Sequence, residues 1–340
     1  MFGWTVPGRR IFYGGPWIAG LIGAPGISGP MVSQACATSA AALAVAAAEL
    51  ESGGSRATVV ITTDKCSNGP HLYHPNPKGP GGKGEAEDWV WDNFSFDPWA
   101  KNSMIETAEN VAKEAGIARA DMDALTQHRY EQYKAGVDSG FLKRVMLTPY
   151  EVNPSGRKVI ATLEGDEGVF PTTAEGLGKL KPMLPEGTIT FGSQTHPADG
   201  AAGLVVADKE RAQAWSKDGD AVQLLSYGTA RVEKGYMAKA VVPAARRALD
   251  SAGVGIADCK VIKTHNPFAV NDIFFAREMG IDAEAMNNNG SSLIYGHPQG
   301  PTGARLIAEG IEEARQNGGG HVLFAGCAAG DTAAAVVLKV

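Results

Sequence analysis

"ADGAAGLVVAD" (residues 198–208) has an echo at the far end of the chain, "GDTAAAVVLKV" (330–340): an acidic residue, a run of small residues, then a closing β-branched strand. Asp199 answers Asp331. The shared stretch is short and low in complexity, so chance resemblance is one reading. Two similar halves packed together is the other, because a repeated supersecondary unit buries its apolar face against its copy. The rest of the chain favours the second. "ATVVITT" (57–63), "TITFG" (188–192), "CKVIKT" (259–264) and "HVLFAG" (321–326) are short β-branched runs, and long Ala/Leu/Glu helical patterns lie between them. Such alternation predicts an α/β fold, a duplicated core in which helices cover sheets. The first half is expected over residues 1–218 and the second over 219–340. Between about 67 and 187 the character changes to Gly, Pro and aromatics and then to polar helices, which reads as a loop or lid subdomain inserted in the first half.

Composition narrows the chemistry. The 340 residues are 44% hydrophobic and 20% charged, enough for one large core or two fused ones, and the formal net charge is −6. No Lys/Arg run offers a footprint for phosphate backbones or anionic lipid, so neither nucleic acid nor a membrane surface is an expected partner. The apolar runs are too short and too broken to span a bilayer. Arg9-Arg10 followed by "IFYGGPWIAGLIGAPG" resembles a twin-arginine export signal, but it has no small-x-small cleavage site and export would cut toward Cys36. A cytoplasmic location is expected. Four cysteines, at 36, 66, 259 and 327, show no paired spacing and read as reduced thiols.

Three loops concentrate reactive side chains. "NNNGSSLIYGHPQG" (287–300) is a polar, glycine-framed turn whose His297 runs into "TGARLIAEGIEEARQ", where Leu306, Ile307, Ile311 and Ala314 recur at helical spacing. His297 is therefore presented at a helix head, where N–H groups and the dipole favour anions. "SQACATSAAALAVAAAELES" (33–52) sets Cys36 at the mouth of a helix with an expected inner face of Leu43, Ala44, Ala47 and Leu50, capped by Thr38 or Ser39. A thiol there reads equally as a low-pKa nucleophile or as a small buried residue of an Ala-rich helix. Cys327 follows the strand "HVLFAG" in the small-residue loop "CAAGDTAAAV", which admits close backbone approach.

Four motifs, in order, resemble those of the thiolase family. Cys36-Ala37-Thr38 resembles the family's Cys-x-Ser loop and His265-Asn266-Pro267-Phe268 its Asn-Glu-Ala-Phe loop. Gly296-His297-Pro298 matches the Gly-His-Pro loop, and Cys327-Ala328-Ala329 resembles Cys-x-Gly. "DEGVFPTTAEGLGKLKPMLPEGTITFGSQTHPADGAAGLVV" is similar to the long signature between them, so the likeness covers the chain from about residue 10. It implies the duplicated thiolase fold and a CoA-dependent acyltransferase that cleaves or forms 3-oxoacyl-CoA through a cysteine acyl-enzyme. Cys36 would be the nucleophile, His297 its base, Cys327 the shuttle for the α-carbon proton, and His265 the anchor of a catalytic water. The backbone N–H groups of Cys36 and Ala329 would form an oxyanion hole. Thr195, Met104, Phe268 and Tyr295 would contact substrate or CoA. No bound cofactor or metal is implied; acyl-CoA and CoA are substrates.

Departures from the pattern carry expectations of their own. His265 stands where most members have Asn, as in the sterol-carrier-protein-type branch, and Pro267 where that branch has Cys. Ala329 replaces a glycine, which is strained if its φ is positive. Ser103 stands where many members have His. The family's first strand and helix are expected to be missing before Met1, leaving a sheet edge or apolar face to be covered by a subunit interface or a partner. The family implies a homodimer or tetramer, and its branch a possible small zinc-binding OB-fold partner. Trp89, Trp91, Phe94, Phe96 and Trp99 point either to a bulky or aromatic acyl group, as in a benzoylsuccinyl-CoA thiolase, or to a lid core. Cys66, His71 and His74 make only a poor metal set. The other functions weighed are a biosynthetic condensing enzyme and a non-catalytic thiolase-like subunit.

Overall fold

A computed structural model of the chain describes residues 1–217 and 220–340, and the expected boundary at 218/219 lies outside the described residues. The first half opens with β1 (Phe2–Gly3), α1 (Gly14–Leu21), β2 (Met31–Val32), α2 (Thr38–Glu51) and β3 (Ala57–Lys65). A long excursion follows: β4 (His71–His74), β5 (Glu85–Asp88), α3 (Trp91–Ser95), α4 (Met104–Glu114), α5 (Arg119–Asp138), α6 (Leu142–Val145), β6 (Tyr150–Val152), β7 (Ala161–Leu163) and α7 (Ala174–Gly178). The chain then returns through β8 (Asp199–Ala207) and α8 (Lys209–Trp215). The second half comprises β9 (Gln223–Arg231), α9 (Val241–Ala252), β10 (Cys259–His265), α10 (Ala269–Met279), α11 (Ser292–Tyr295), α12 (Gly300–Gln316), β11 (His321–Ala328) and β12 (Thr332–Lys339).

Two four-stranded sheets result, ordered β2-β1-β3-β8 and β10-β11-β12-β9. β1 runs parallel to β2 and β3, β10 runs parallel to β11, and the remaining pairs are antiparallel. The two echo strands pair alike, β8 antiparallel to β3 and β12 antiparallel to β11, although β8 is an edge strand whereas β12 lies between β11 and β9. The echo's two aspartates also act alike. Asp199 accepts from the Ser67 N–H and hydroxyl, and Asp331 from the Gly235 and Tyr236 N–H groups, so each pins a loop beside the start of its strand.

Helices α2 and α12 pack on each other between the sheets: α12 meets β3, β8, β10 and β11, and α2 meets β3, β8 and β12. This position explains the alanines of α2, because a helix squeezed from several sides needs small residues; Ala40, Ala42 and Ala46 are wholly buried. The expected face is corrected accordingly. Leu43 is buried, but Ala44, Ala47 and Leu50 are only partly so, since burial follows the sandwiched N-terminal half rather than one stripe. β12 is buried almost throughout because α9 covers its other face, whereas β3 and β8 alternate and leave an outer face open.

Two further expectations need correction. "TITFG" (188–192) forms no strand beyond a single bridge from Thr190 to Pro182. The Glu109 carboxylate on α4 accepts the Thr188 and Ile189 N–H groups at 2.7 Å each, taking the donors a ladder would use. Nor is the insertion a separate lid over its whole length, since Val111, Met122, Leu125 and Tyr133 of α4 and α5 belong to the main core. Ser103 caps α4 in a capping box with Glu106.

Candidate active site

The reactive residues meet where β10 and β11 end and the central helices α2 and α12 begin. Cys36 sits on the turn into α2. Thr38 Oγ1 accepts the Gln34 N–H at 2.8 Å and donates to the Ala35 carbonyl at 2.7 Å, and Ala35 is held at φ 44°. Neither Thr38 nor Ser39 caps the helix; Ala37 occupies that position, and Ser39 Oγ is drawn to the Gly300 carbonyl of α12. A left-handed non-glycine residue beside a reactive side chain is strain that the fold must impose.

His297 precedes α12, and its N–H bonds to the His196 carbonyl at 2.9 Å. Gly296, at φ 93°, is required here, because a Cβ would lie 2.8 Å from both the Ala198 methyl and His196 Nε2. His297 Nε2 lies 3.0 Å from Cys36 Sγ, and Nδ1 lies 2.6 Å from Thr302 Oγ1. His265, at the end of β10, stacks against it with ring centroids 4.0 Å apart. His265 Nδ1 is 2.8 Å from Ser292 Oγ, a hydroxyl positioned to donate to Asn266 Oδ1 at 3.1 Å. This assigns the His265 proton to Nδ1 and leaves Nε2, which is buried with no partner among the described residues, as a lone pair facing the site.

Cys327 lies on β11, whose parallel register sets His265 beside Gly326. It is fully buried and accepts a bond from Asn271 Nδ2 at 3.3 Å. The Ala329 and Cys36 N–H groups lie beside the Cys36 sulfur and favour its thiolate. Ala329 is not at positive φ, so the strain anticipated for its Cβ is absent.

Burial sets the protonation states. It pushes the Cys36 thiol up to about 12 despite the Ala329 and Cys36 N–H groups, and lowers His297 to about 3. Desolvation, and then the neighbouring His297, hold His265 well below the ordinary imidazole value, and Cys327 is raised well above that of a free thiol, again chiefly by burial. Of the two readings the helix mouth left open, burial removes the low thiol pKa: the resting pair is a thiol facing a neutral imidazole. Desolvation of a partly open sulfur outweighs the helix end.

Positioning residues that carry no motif support these groups. Asp272 is wholly buried; it binds Arg129 of α5 at 2.9 Å and accepts from Thr264, Asn266 and Asn287, fastening the His265 loop to the turn that leads to His297. Asp64 accepts the Thr5, Val6 and Gly300 N–H groups, tying β3 to the head of α12. Residues 265–268 gave the only clue to the first cluster, through Asn266.

The expected contact residues are placed less simply. Thr195 lies at the site's edge, its N–H on the Pro267 carbonyl at 2.7 Å, and Met104 begins α4 half-buried. Phe268 is buried at the start of α10. Tyr295, whose place in the sequence fits packing as well as substrate contact, is buried, with the Arg305 guanidinium 3.4 Å over its ring and itself held by Asp166 and Glu309. Trp91, Phe96 and Trp99 stand exposed, while Trp89 donates to the Thr5 carbonyl. His74 pairs with Glu87 at 2.6 Å, and Cys66 is buried apart with Val6 and Val90.

A thiol–imidazole pair under backbone donors, with a second thiol nearby and two similar α/β halves around them, is the arrangement of an acyl-transferring enzyme. The chain belongs to the thiolase family: residues 21–210 match the family's "Thiolase, N-terminal domain" and residues 220–340 its "Thiolase, C-terminal domain". It is an acyltransferase. It is 30% identical over 322 residues to the 3-oxoadipyl-CoA/3-oxo-5,6-dehydrosuberyl-CoA thiolase of Escherichia coli K12, covering 92% of this chain and 80% of that one. The acetyl-CoA acetyltransferase of the same organism is 31% identical over 287 residues, 83% of this chain and 71% of its own. The human mitochondrial 3-ketoacyl-CoA thiolase superposes with a TM-score of 0.91 at 24% identity, over 99% of this chain and 86% of its own, a likeness of fold.

Proposed function

We propose that the protein exchanges acyl groups between a 3-oxoacyl-CoA and CoA through an acyl–Cys36 intermediate. The supporting observation is the 3.0 Å approach of His297 Nε2 to Cys36 Sγ beneath the Ala329 and Cys36 N–H groups. Substrate binding brings the 3-oxo carbon to the sulfur, the thiol proton passes to His297 Nε2, and the sulfur attacks. The alkoxide forms beside the two backbone N–H groups. Its collapse breaks the bond between the α- and 3-carbons and sends the electron pair into an enolate of acetyl-CoA. Protonated His297 and a water held by the His265 Nε2 lone pair stabilise that enolate. Cys327 gives its proton to the α-carbon and takes one back from the incoming CoA thiol. The CoA sulfur then displaces the acyl group from Cys36, whose sulfur recovers the proton from His297. Every step reverses, so condensation uses the same groups.

For the acyl group, a bulky or aromatic chain is proposed, supported by the aromatic content of residues 89–99 and by Trp89, which reaches Gly300 through Thr5 and Asp64. A homodimer or tetramer in the cytoplasm is proposed, with CoA esters as its small-molecule partners and a small zinc-binding OB-fold protein as a candidate subunit. A thiolysis and condensation panel of short, branched, dicarboxylic and aromatic 3-oxoacyl-CoAs tests the reading. It predicts turnover with at least one class; no turnover with any, in either direction, would contradict it.

A further inference from the structure

The site holds more ligating power than acyl transfer needs. Cys36 Sγ, one His265 ring nitrogen and one His297 ring nitrogen lie within 4.8 Å of one another, the one such group of three among the described residues. His297 already aims Nε2 at the sulfur, and its Nδ1 is engaged by Thr302. His265 presents Nε2 as an unpaired lone pair with its other nitrogen on Ser292. Both rings thus have the tautomer a metal requires, and a hydroxyl behind each fixes its orientation, as second-layer partners do in zinc sites. Both rings are also nearly sealed from solvent, 1% and 4% exposed, while Cys36 remains partly open, so a fourth ligand can enter from the substrate side.

We propose that Cys36, His265 and His297 form a binding site for one thiophilic divalent cation, Zn²⁺ above all, and that the bound cation masks the nucleophile. Tetrahedral zinc places ligands about 2.0–2.3 Å from the metal and so somewhat over 3 Å from one another; the His297–Cys36 pair, at 3.0 Å, needs to open only slightly, and His265 already lies within 4.8 Å of both. The step is an exchange without redox change: the Cys36 S–H bond breaks, the sulfur pair forms the S–Zn bond, and the proton leaves to buffer. Neither imidazole holds a proton on its ligating nitrogen, so one proton is released per cation. Binding should therefore tighten about tenfold per pH unit while the free thiol stays protonated. With Asn at position 265 the site would lose its third strong ligand. The inference concerns the apo protein and is measured without substrate, so it stands or fails separately from the proposed reaction.

The test uses the full chain carrying His71→Ala and His74→Ala, to remove the exposed imidazoles, stripped of metal and titrated with zinc sulfate against a chromophoric chelator. One equivalent should bind, His265→Asn should weaken it at least tenfold, and Cys36→Ser should abolish it. Co²⁺ in place of zinc should give sulfur-to-metal charge-transfer absorption that Cys36→Ser loses, and zinc should block alkylation of Cys36 until EDTA is added. Binding that survives both substitutions, a Co²⁺ spectrum without a sulfur band, or no stoichiometric binding would overturn the proposal. Thermal unfolding of each variant separates a lost ligand from a lost fold.

Discussion

Among the reactive side chains, division of labour is the sharpest claim. If Cys327 handles only the α-carbon proton, Cys327→Ala should accept an acyl group from an acyl-CoA donor yet fail to make or break the carbon–carbon bond. His297→Ala should impair both steps, each loss being about 10²–10⁴-fold. Separate assays of the two half-reactions check this, and equal effects in both variants would refute it. The buried imidazoles make a second prediction. Above a pH of about 6.5 they are neutral folded and unfolded and contribute no pH dependence. As pH falls from there toward about 3, the unfolded chain takes up protons that folded His297, and likewise His265, refuse, so stability falls. His265→Asn should make that fall shallower by roughly 1.4 kcal/mol per pH unit in urea titrations. The same shift removes the acid limb of activity that an ordinary His265 would have produced near neutrality. At this scale the motif residues were legible because cysteine and histidine in glycine-framed turns are few. Their protonation states were not, since burial by distant segments decides them.

At the scale of elements, the loops carrying His265 and His297 are held by a helix from a remote part of the chain. Arg129 of α5 and Asp272 of α10 form an ion pair with neither side chain exposed, and the carboxylate also gathers Thr264, Asn266 and Asn287. Removing one partner leaves an uncompensated buried charge, so Arg129→Met should destabilise the protein by about 3–5 kcal/mol. Denaturant unfolding measures this; a change within experimental error would show that the pair is not structural support. Nothing in "ADMDALTQHRYEQYKAG" announces Arg129 as interior, because its partner is assigned only by packing. The absent strand at 188–192 has the same cause, a carboxylate on α4 replacing a neighbouring strand. By contrast β3, β10, β11 and the echo strands β8 and β12 were readable, since β-branched runs bounded by glycine need no distant partner to be recognised.

For the whole molecule, the duplication places α2 and α12 back to back, so that the turn bearing the thiol and the turn bearing the imidazole meet. The outer face of the first sheet is different. Val59, Val205 and Trp215 border a groove of about 470 Å³ that also takes in Phe2, Ile18 and Ile22, and Val205 is 63% exposed. A face of this kind on a thiolase is where the proposed oligomer would bury apolar surface. Val205→Asp should shift the protein toward monomer in light-scattering chromatography, and an unchanged mass would place the interface elsewhere. The most direct test of the central claim is intact-protein mass spectrometry after mixing with a 3-oxoacyl-CoA that is turned over. Wild type should gain one acyl group and Cys36→Ser none. An acyl adduct that persists in Cys36→Ser would contradict the account.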